Sequence, residues 1–204
     1  NTTMAGAVIL AAKAALRSGA GRVSVFTRCL HQMAVTSVCP EIMVVGDDTP
    51  DHGIPHSLLS RVSHIAVGPG LGKDAWAAQC LAQCLQAHKP VVIDADALNL
   101  IAMQGIGAVA ECVLTPHPGE AARLLQTDTL AVNHDRLAAV KSIFQQYTCS
   151  ATDEMAVVLK GSGSLIYDGR RLSVCPYGNP AMATAGMGDV LTGVVFALMA
   201  QGLS

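Results

Sequence analysis

Along the chain, the spacing of hydrophobic residues switches repeatedly between a pattern typical of strands and a pattern typical of helices. Short runs rich in Val, Ile and Leu are typical of strands, and longer stretches with apolar residues at helical spacing follow them. The predicted strands are residues 22–27, 41–45, 63–67, 90–94, 111–114 and 156–160, and then a hairpin from 164–167 to 171–175. The predicted helices are residues 4–18, 73–88, 118–126, 134–147 and 189–201. This alternation predicts an α/β fold with a mainly parallel central sheet flanked by helices.

Local signals support these elements. The run at residues 91–93 is apolar on both faces, as expected for a central parallel strand. Asp168 and Gly169 favour a hairpin turn. Gly19 and Gly202 are well placed to end the first and last helices, and Asn133 to cap the fourth. Since no repeat or linker divides the chain, we expect residues 1–204 to form a single domain.

Composition narrows the class of protein. Hydrophobic residues make up 51% of the chain and charged residues 14%, which indicates a globular domain. The net charge of −2 and the lack of a Lys/Arg cluster argue against a nucleic-acid partner. The longest apolar helical run, near residues 190–200, is too short for a membrane span. We therefore expect a cytoplasmic protein with small-molecule partners and no nucleic-acid or membrane partner.

The cysteines form no CxxC pair, and Cys80 and Cys84 lie at helical spacing without nearby histidine partners. We interpret them as buried small hydrophobic residues rather than as disulfides or metal ligands. The sequence therefore predicts no metal site made of cysteine. The seven residues are Cys29, Cys39, Cys80, Cys84, Cys112, Cys149 and Cys175.

Five segments with glycine or acidic residues lie where predicted strands end or where the last helix begins. Ligands bind beyond the carboxyl ends of strands in open parallel sheets, so we expect the five to share one site. They are "GPGLG" (68–72), "DADALNL" (94–100), "TPHPGE" (115–120), "KGSGS" (160–164) and "NPAMATAGMGDVLTG" (179–193).

The segment before the last helix predicts an anion site. Gly186 and Gly188 would let backbone N–H groups converge at the amino end of the helix, where the dipole favours phosphates. Asp189 would be the acid–base residue beside that site. The alternative is that Asp189 only caps the helix.

Three other segments leave two interpretations each. Lys160 and the flexible loop after it are suited to bind the phosphates of a nucleotide. This is not a Walker A loop, because the lysine precedes the glycines instead of following them. The alternative is an ordinary hairpin with an exposed lysine. His117, between two prolines, would point in a fixed direction toward a ligand, or it is structural or merely exposed. Asp94 and Asp96 could orient water or Mg²⁺ near phosphates, or cap the helix that follows.

These segments, in this order, resemble the ADP-dependent NAD(P)H-hydrate dehydratase family, and so does "MAGAVILAAKAALRSGAGRV" at residues 4–23. The resemblance covers essentially the whole chain and implies a ribokinase-like fold. It implies an enzyme that repairs NADH or NADPH hydrated on the nicotinamide ring, acting on the S form. ADP phosphorylates the ring hydroxyl, and elimination of phosphate then restores the double bond and leaves AMP.

The resemblance also implies site residues. Asp189 would be the base on the hydroxyl. Two sets of residues would bind ligands: the nucleotide would contact Lys160, Gly161, Ser162, Gly163, Ser164 and Gly188, and the hydrated dinucleotide would contact Ala7, Gly70, His117 and Asp189. The cofactors implied are ADP, as phosphoryl donor, and Mg²⁺. Ser164, Ala181 and Met187 depart from the family's usual Thr, Gly and Thr, and none of these changes removes a needed chemical group.

Family members suggest what surrounds this domain. We expect a homo-oligomer, for example a tetramer. The family's domain normally begins one strand earlier, with a glycine-rich turn, and continues beyond residue 204, so we expect this domain to be incomplete at both termini. Many bacterial members follow an epimerase domain, so Asn1 could lie inside a bifunctional chain.

Two other functions compete with the dehydratase. A ribokinase-like kinase of a sugar or vitamin alcohol would share the fold and Asp189 but would end at a phosphorylated product. A catalytically silent nucleotide-binding module is a rival of another class, although no essential group is missing. "TPHPGE" and "KGSGS" favour the dehydratase.

Overall fold

The computed structural model describes residues 1–49, 52–105, 111–148 and 154–203. The helices there are α1 (Ala5–Arg17), α2 (Gln32–Val38), α3 (His56–Leu59), α4 (Ala75–Gln86), α5 (Ala95–Gln104), α6 (Pro118–Leu124), α7 (Thr129–His134), α8 (Arg136–Tyr147) and α9 (Met187–Ala200). The strands are β1 (Ser24–Thr27), β2 (Met43–Gly46), β3 (Ile65–Val67), β4 (Val91–Ile93), β5 (Glu111–Leu114), β6 (Glu154–Leu159), β7 (Leu165–Tyr167) and β8 (Leu172–Val174). Short 3₁₀ turns cover Cys29–His31 and Pro180–Met182.

The described strands form two sheets. The larger one has the order β3-β4-β5-β6-β7-β8, in which β3 to β6 are parallel and the β7–β8 hairpin is antiparallel. β1 and β2 pair in parallel in the smaller sheet. This arrangement confirms the predicted α/β fold with a mainly parallel sheet. The predicted hairpin is also confirmed.

The centre of the core is β4. Val91, Val92 and Ile93 are each 0% exposed, which confirms that this strand is buried on both faces. On one side of the molecule α1 packs against α9 at close range. A Cβ atom added to Gly193 would collide with the carbonyl oxygen of Ala11, so this glycine lets the two helices approach. The start of α9, which carries the predicted anion site, is therefore held against α1.

A cavity of about 430 Å³ lies between the two sheets. Residues of β1 and β3 line it, among them Val25, Phe26, Ile65 and Val67. No helix in the described part of the chain is long and apolar enough to cross a membrane.

Several helix boundaries differ from the prediction. The helix predicted at 134–147 starts two residues later than predicted, since His134 ends α7 and α8 starts at Arg136. The prediction that Asn133 caps this helix is wrong, because Asn133 lies inside α7 and Asp135 caps α8 by accepting a hydrogen bond from the Ala138 N–H at 2.9 Å. The helices α2, α3 and α7 were not predicted, because each is shorter than two or three turns of clear periodicity.

The interpretation of the cysteines holds for most of those described. Cys39, Cys80, Cys84 and Cys112 are buried. Burial raises the pKa of the Cys80 and Cys84 thiols to about 12, so both stay protonated. For Cys29, which is exposed, and Cys175, which is half-buried, the prediction of burial is wrong. Cys149 lies outside the described residues.

Candidate active site

The predicted segments meet at one edge of the larger sheet. Lys160, which follows β6, donates its backbone N–H to the carbonyl oxygen of Pro116 after β5 at 2.9 Å. Asp94, which follows β4, donates its N–H to Val67 at the end of β3 at 3.1 Å. Thr192 of α9 reaches the same edge through a side-chain bond to Asp94. The shared edge expected from parallel strands is confirmed.

A buried ion pair lies at the centre of this edge. Lys160 Nζ is 2.6 Å from Asp94 Oδ1, and the two side chains are 16% and 2% exposed. The Thr192 hydroxyl donates to the other Asp94 oxygen, Oδ2, at 2.6 Å. Glu120 Oε2 lies 3.7 Å from the same ammonium. The alternative of an exposed lysine in an ordinary hairpin is therefore wrong.

The start of α9 places glycine and acid next to this lysine. Gly186 is the N-cap, with a left-handed φ of 87°, and a Cβ atom there would collide with Leu10 of α1. A Cβ atom added to Gly188 would lie 3.4 Å from Lys160 Nζ, so the ammonium lies at the amino end of the helix. Asp189 is in the first turn but is not the N-cap residue. The alternative that Asp189 only caps the helix is thus not realised.

The surroundings of Asp189 make it a stronger base than an ordinary aspartate. Burial raises the pKa of its carboxyl group, and the negative charges of Asp94 and Glu120 add to the rise. The Lys160 ammonium acts in the opposite direction. A raised pKa brings a carboxylate closer to the operating pH, which favours general base catalysis.

His117 has a structural role at the start of α6. Its Nδ1 accepts from the backbone N–H groups of Gly119 (2.9 Å) and Glu120 (3.2 Å), while Glu120 Oε2 accepts from the His117 N–H at 2.8 Å. This reciprocal capping box fixes the imidazole plane. Burial lowers the pKa of His117, as do Lys160 and Arg123, so the ring is neutral near pH 7. Half of the side chain remains exposed toward solvent and can still meet a ligand.

The "KGSGS" loop is held by a residue that the sequence did not single out. Arg136, at the start of α8, donates to the carbonyl oxygens of Ser162 at 2.6 Å and Leu159 at 3.1 Å. The hydroxyl of Ser164 donates to Gly161 O at 3.1 Å. These bonds tie the loop to the start of α8 and to itself.

Ala7 and Gly70 lie together where α1 meets the "GPGLG" loop. A Cβ atom on Gly70 would be 3.3 Å from Ala7 Cβ and 2.6 Å from the Met4 carbonyl oxygen, so only glycine fits there. Asp96 steadies the loop by accepting from the Gly72 N–H at 2.9 Å. Ala7 and Gly70, two of the four predicted dinucleotide contacts, are thus on the α1 side of the same edge.

A family model described as NAD(P)H-hydrate dehydratase matches residues 1–204. The chain belongs to the NAD(P)H-hydrate dehydratase family. This result confirms the resemblance found in the sequence motifs.

Individual dehydratases and repair enzymes are similar over nearly the whole chain. The bifunctional NAD(P)H-hydrate repair enzyme Nnr of Coxiella burnetii is 44% identical, over 98% of this chain and 40% of its own length. The ADP-dependent (S)-NAD(P)H-hydrate dehydratase of Neisseria meningitidis is 41% identical, over 98% of this chain and 67% of its own length. The chain spans only 37–40% of the length of the bifunctional bacterial relatives.

A solved structure of the same family confirms the ribokinase-like fold. The ADP/ATP-dependent NAD(P)H-hydrate dehydratase of Bacillus subtilis, co-crystallised with ATP and Mg²⁺ and soaked with CoA, superposes with a TM-score of 0.82. The two chains are 29% identical, and the match covers 96% of this chain and 70% of that one.

Sequence reasoning on this dehydratase-family chain missed three residues that organise the site. Thr192 and Glu120 lie inside quoted motifs, but no role was assigned to either. Arg136 lies outside every motif, and no sequence signal marks it. All three act through contacts with residues that are distant along the chain.

Proposed function

We propose that the protein containing this chain dehydrates the S form of hydrated NADH or NADPH in an ADP-dependent reaction. The β-phosphoryl group of ADP is transferred to the ring hydroxyl, so that an O–P bond forms as the bond to AMP breaks. Phosphate then leaves with the ring oxygen, the neighbouring ring carbon loses a proton, and the double bond is restored. AMP and inorganic phosphate are the products.

One observation carries this proposal: a lysine ammonium and a basic aspartate lie together at the amino end of α9. Gly188 directly precedes Asp189, and a Cβ atom added to it would lie only 3.4 Å from Lys160 Nζ, so its missing side chain leaves room beside the ammonium. Helix amino ends favour phosphates, and the ammonium adds a full positive charge. Asp189 beside them is suited to accept the proton of a hydroxyl that attacks phosphorus.

The remaining residues divide between the two ligands. We assign the adenine nucleotide to the Lys160–Ser164 loop and to Gly188, since the loop is preshaped by Arg136. We assign the hydrated dinucleotide to the opposite side, where Ala7 and Gly70 pack together and His117 exposes half of its ring. The relative from Neisseria meningitidis, named for this reaction, supports the assignment of substrates.

Magnesium does not fit a site built by the protein here. Both Asp94 oxygens already accept from Lys160 and Thr192, and Asp96 accepts from the Gly72 N–H. Within the described ranges no group of three or more His, Cys, Asp or Glu side chains could hold a metal ion. An ion entering with the nucleotide would be held by phosphate oxygens and water, as Mg²⁺ often is.

We also propose that the complete domain holds one more strand, between β1 and β3. The cavity of about 430 Å³ lies between these strands. A strand that paired with both β1 and β3 would fill this cavity and join the two sheets into one. We expect the chain to melt at a higher temperature when produced with the residues that precede it in its gene. An unchanged melting temperature would contradict this proposal.

The reaction is tested with the full-length protein, ADP and the S form of hydrated NADH. We expect absorbance at the reduced nicotinamide band to return, with AMP and phosphate formed in equal amounts. The Asp189→Asn variant serves as the inactive control. A stable phosphorylated product would favour the kinase instead, and nucleotide binding without turnover would favour the silent module.

A further inference from the structure

Asp94 is a buried carboxylate to which the proposed reaction gives no role. It is 1% exposed, and it lies at the N-cap of α5 without making a side-chain capping bond. Its two oxygens instead accept from Lys160 Nζ and Thr192 Oγ1, each at 2.6 Å. A buried charge is costly unless it is paired and hydrogen-bonded, and Asp94 meets both conditions.

The two donors come from the two parts of the nucleotide site. Lys160 follows β6 and belongs to the "KGSGS" loop, whereas Thr192 lies on α9, one turn after Gly188 and Asp189. Thr192 is 0% exposed, so its hydroxyl faces only protein. Asp94 is therefore the side chain that joins the loop to the helix.

We propose that Asp94 is a positioning residue: its carboxylate holds the Lys160 ammonium at the amino end of α9 and fixes that helix through Thr192. A lysine side chain is long and flexible, and the other carboxylate near the ammonium, Glu120, lies 3.7 Å away, so without Asp94 the ammonium would be held less firmly and would sample more positions. Preorganised charge is effective because it need not rearrange as the phosphoryl group moves. This inference rests on the proposed function.

Asp94 also acts on the proton affinity of the base. The groups that face Asp189 are Asp94 at the start of α5, Glu120 of α6 and Lys160 after β6, and α1 contributes the apolar Leu10. The negative charge of Asp94 raises the pKa of Asp189, and Lys160 lowers it. Removing the Asp94 charge should therefore lower the pKa of Asp189. Lys160, no longer paired with Asp94, would lower that pKa further.

The test compares Asp94→Asn with the parent in the full-length protein. We expect kcat to fall about 10- to 100-fold because the ammonium is no longer fixed, and the acid limb of the pH–rate profile to move to lower pH. ADP affinity, measured by calorimetry, should hold or rise, since a negative charge beside the phosphates is gone. A residue with a purely structural role would not produce this split between kcat, affinity and pH profile.

Two sets of variants serve as controls. Asp128→Asn makes the same substitution at the exposed start of α7 and should leave all three measurements unchanged. Thr192→Val removes the hydroxyl and should reproduce part of the kcat loss, whereas Thr192→Ser keeps the hydroxyl and should restore it. In the Asp94→Asn background, Thr192→Val should cost less than in the parent, because the charged acceptor of the Thr192 hydroxyl is gone, although its bond to the Gly188 carbonyl oxygen (3.1 Å) remains. If Asp94→Asn fails to fold by circular dichroism, the Thr192 pair carries the test.

The failure of this inference differs from the failure of the proposed function. An Asp94→Asn variant with parental kcat and an unmoved acid limb would overturn the role of Asp94 while leaving the dehydratase intact. A parent that binds ADP but does not dehydrate the substrate would refute the function. In that case a loss of ADP affinity above tenfold in Asp94→Asn would also overturn the positioning role, and an affinity that rises in Asp94→Asn while it stays unchanged in Asp128→Asn would support it.

Discussion

Replacing Gly188 by valine should close the amino end of α9 to phosphates. A Cβ atom at this position lies 3.4 Å from Lys160 Nζ and 3.9 Å from Asp94 Oδ2, which are ordinary contact distances. Alanine therefore fits. The γ carbons of valine extend about 1.5 Å farther and enter the space where the ammonium and a phosphate would meet.

The expected magnitude follows from the bonds that would be lost. A hydrogen bond to a charged group contributes about 1.5–3 kcal/mol, and each 1.4 kcal/mol is about a tenfold change in affinity. Losing one such bond in Gly188→Val should weaken ADP binding by about 10- to 100-fold. Gly188→Ala should change it by less than about fivefold. Gly188→Ala should also stabilise the helix by up to about 1 kcal/mol. The change in ADP affinity and the change in stability would then differ, which separates an effect on binding from an effect on folding.

Calorimetry with ADP measures the affinity, and thermal melting checks folding. Gly178→Val is the matched control, because nothing lies within 4 Å of a Cβ atom there and the residue is exposed. Lys160→Ala should also weaken ADP binding, but it leaves the buried Asp94 without its cation and should cost stability as well. A folded Gly188→Val variant that binds ADP within about twofold of the parent would refute the phosphate site.

Three further predictions concern the base and the helix pair. Asp189→Asn should lower kcat by roughly 10²–10⁴-fold, the usual range for loss of a general base, and it should melt near the parent temperature. Turnover at the parental rate would mean that Asp189 is not the base. In the parent, kcat/KM should fall as the pH drops through the pKa of Asp189, and because burial raises that pKa the fall should begin above the usual aspartate range. Gly193→Ala should lower the free energy of unfolding by about 1–3 kcal/mol, because its Cβ atom meets the Ala11 carbonyl oxygen. The control is Gly6→Ala in α1, because nothing lies within 4 Å of a Cβ atom there, and this variant should melt at or above the parent temperature. Equal melting temperatures for Gly193→Ala and Gly6→Ala would contradict close packing of α1 against α9.

Periodicity predicted the regular elements where they are long or fully buried. The helices α1, α4, α8 and α9 and the strand β4 were found within a few residues of their predicted bounds. It missed the short helix α7 and placed the cap of the next helix at Asn133 instead of Asp135, because Asn and Asp are both capping residues and the two lie only two positions apart. Capping depends on which side-chain oxygen meets which backbone N–H group, and sequence spacing does not decide that.

The amino-acid sequence by itself determined the class of fold, the family, and the edge of the sheet at which the motifs meet, since parallel strands all end on the same side. Only the tertiary structure decided what each motif residue contacts. Asp94 meets Lys160 and Thr192 across 66 and 98 residues of chain, and Arg136 reaches Ser162 across 26. Those contacts depend on the order β3-β4-β5-β6 and on how α9 packs beside β4, and both arise from long-range burial that local patterns do not encode.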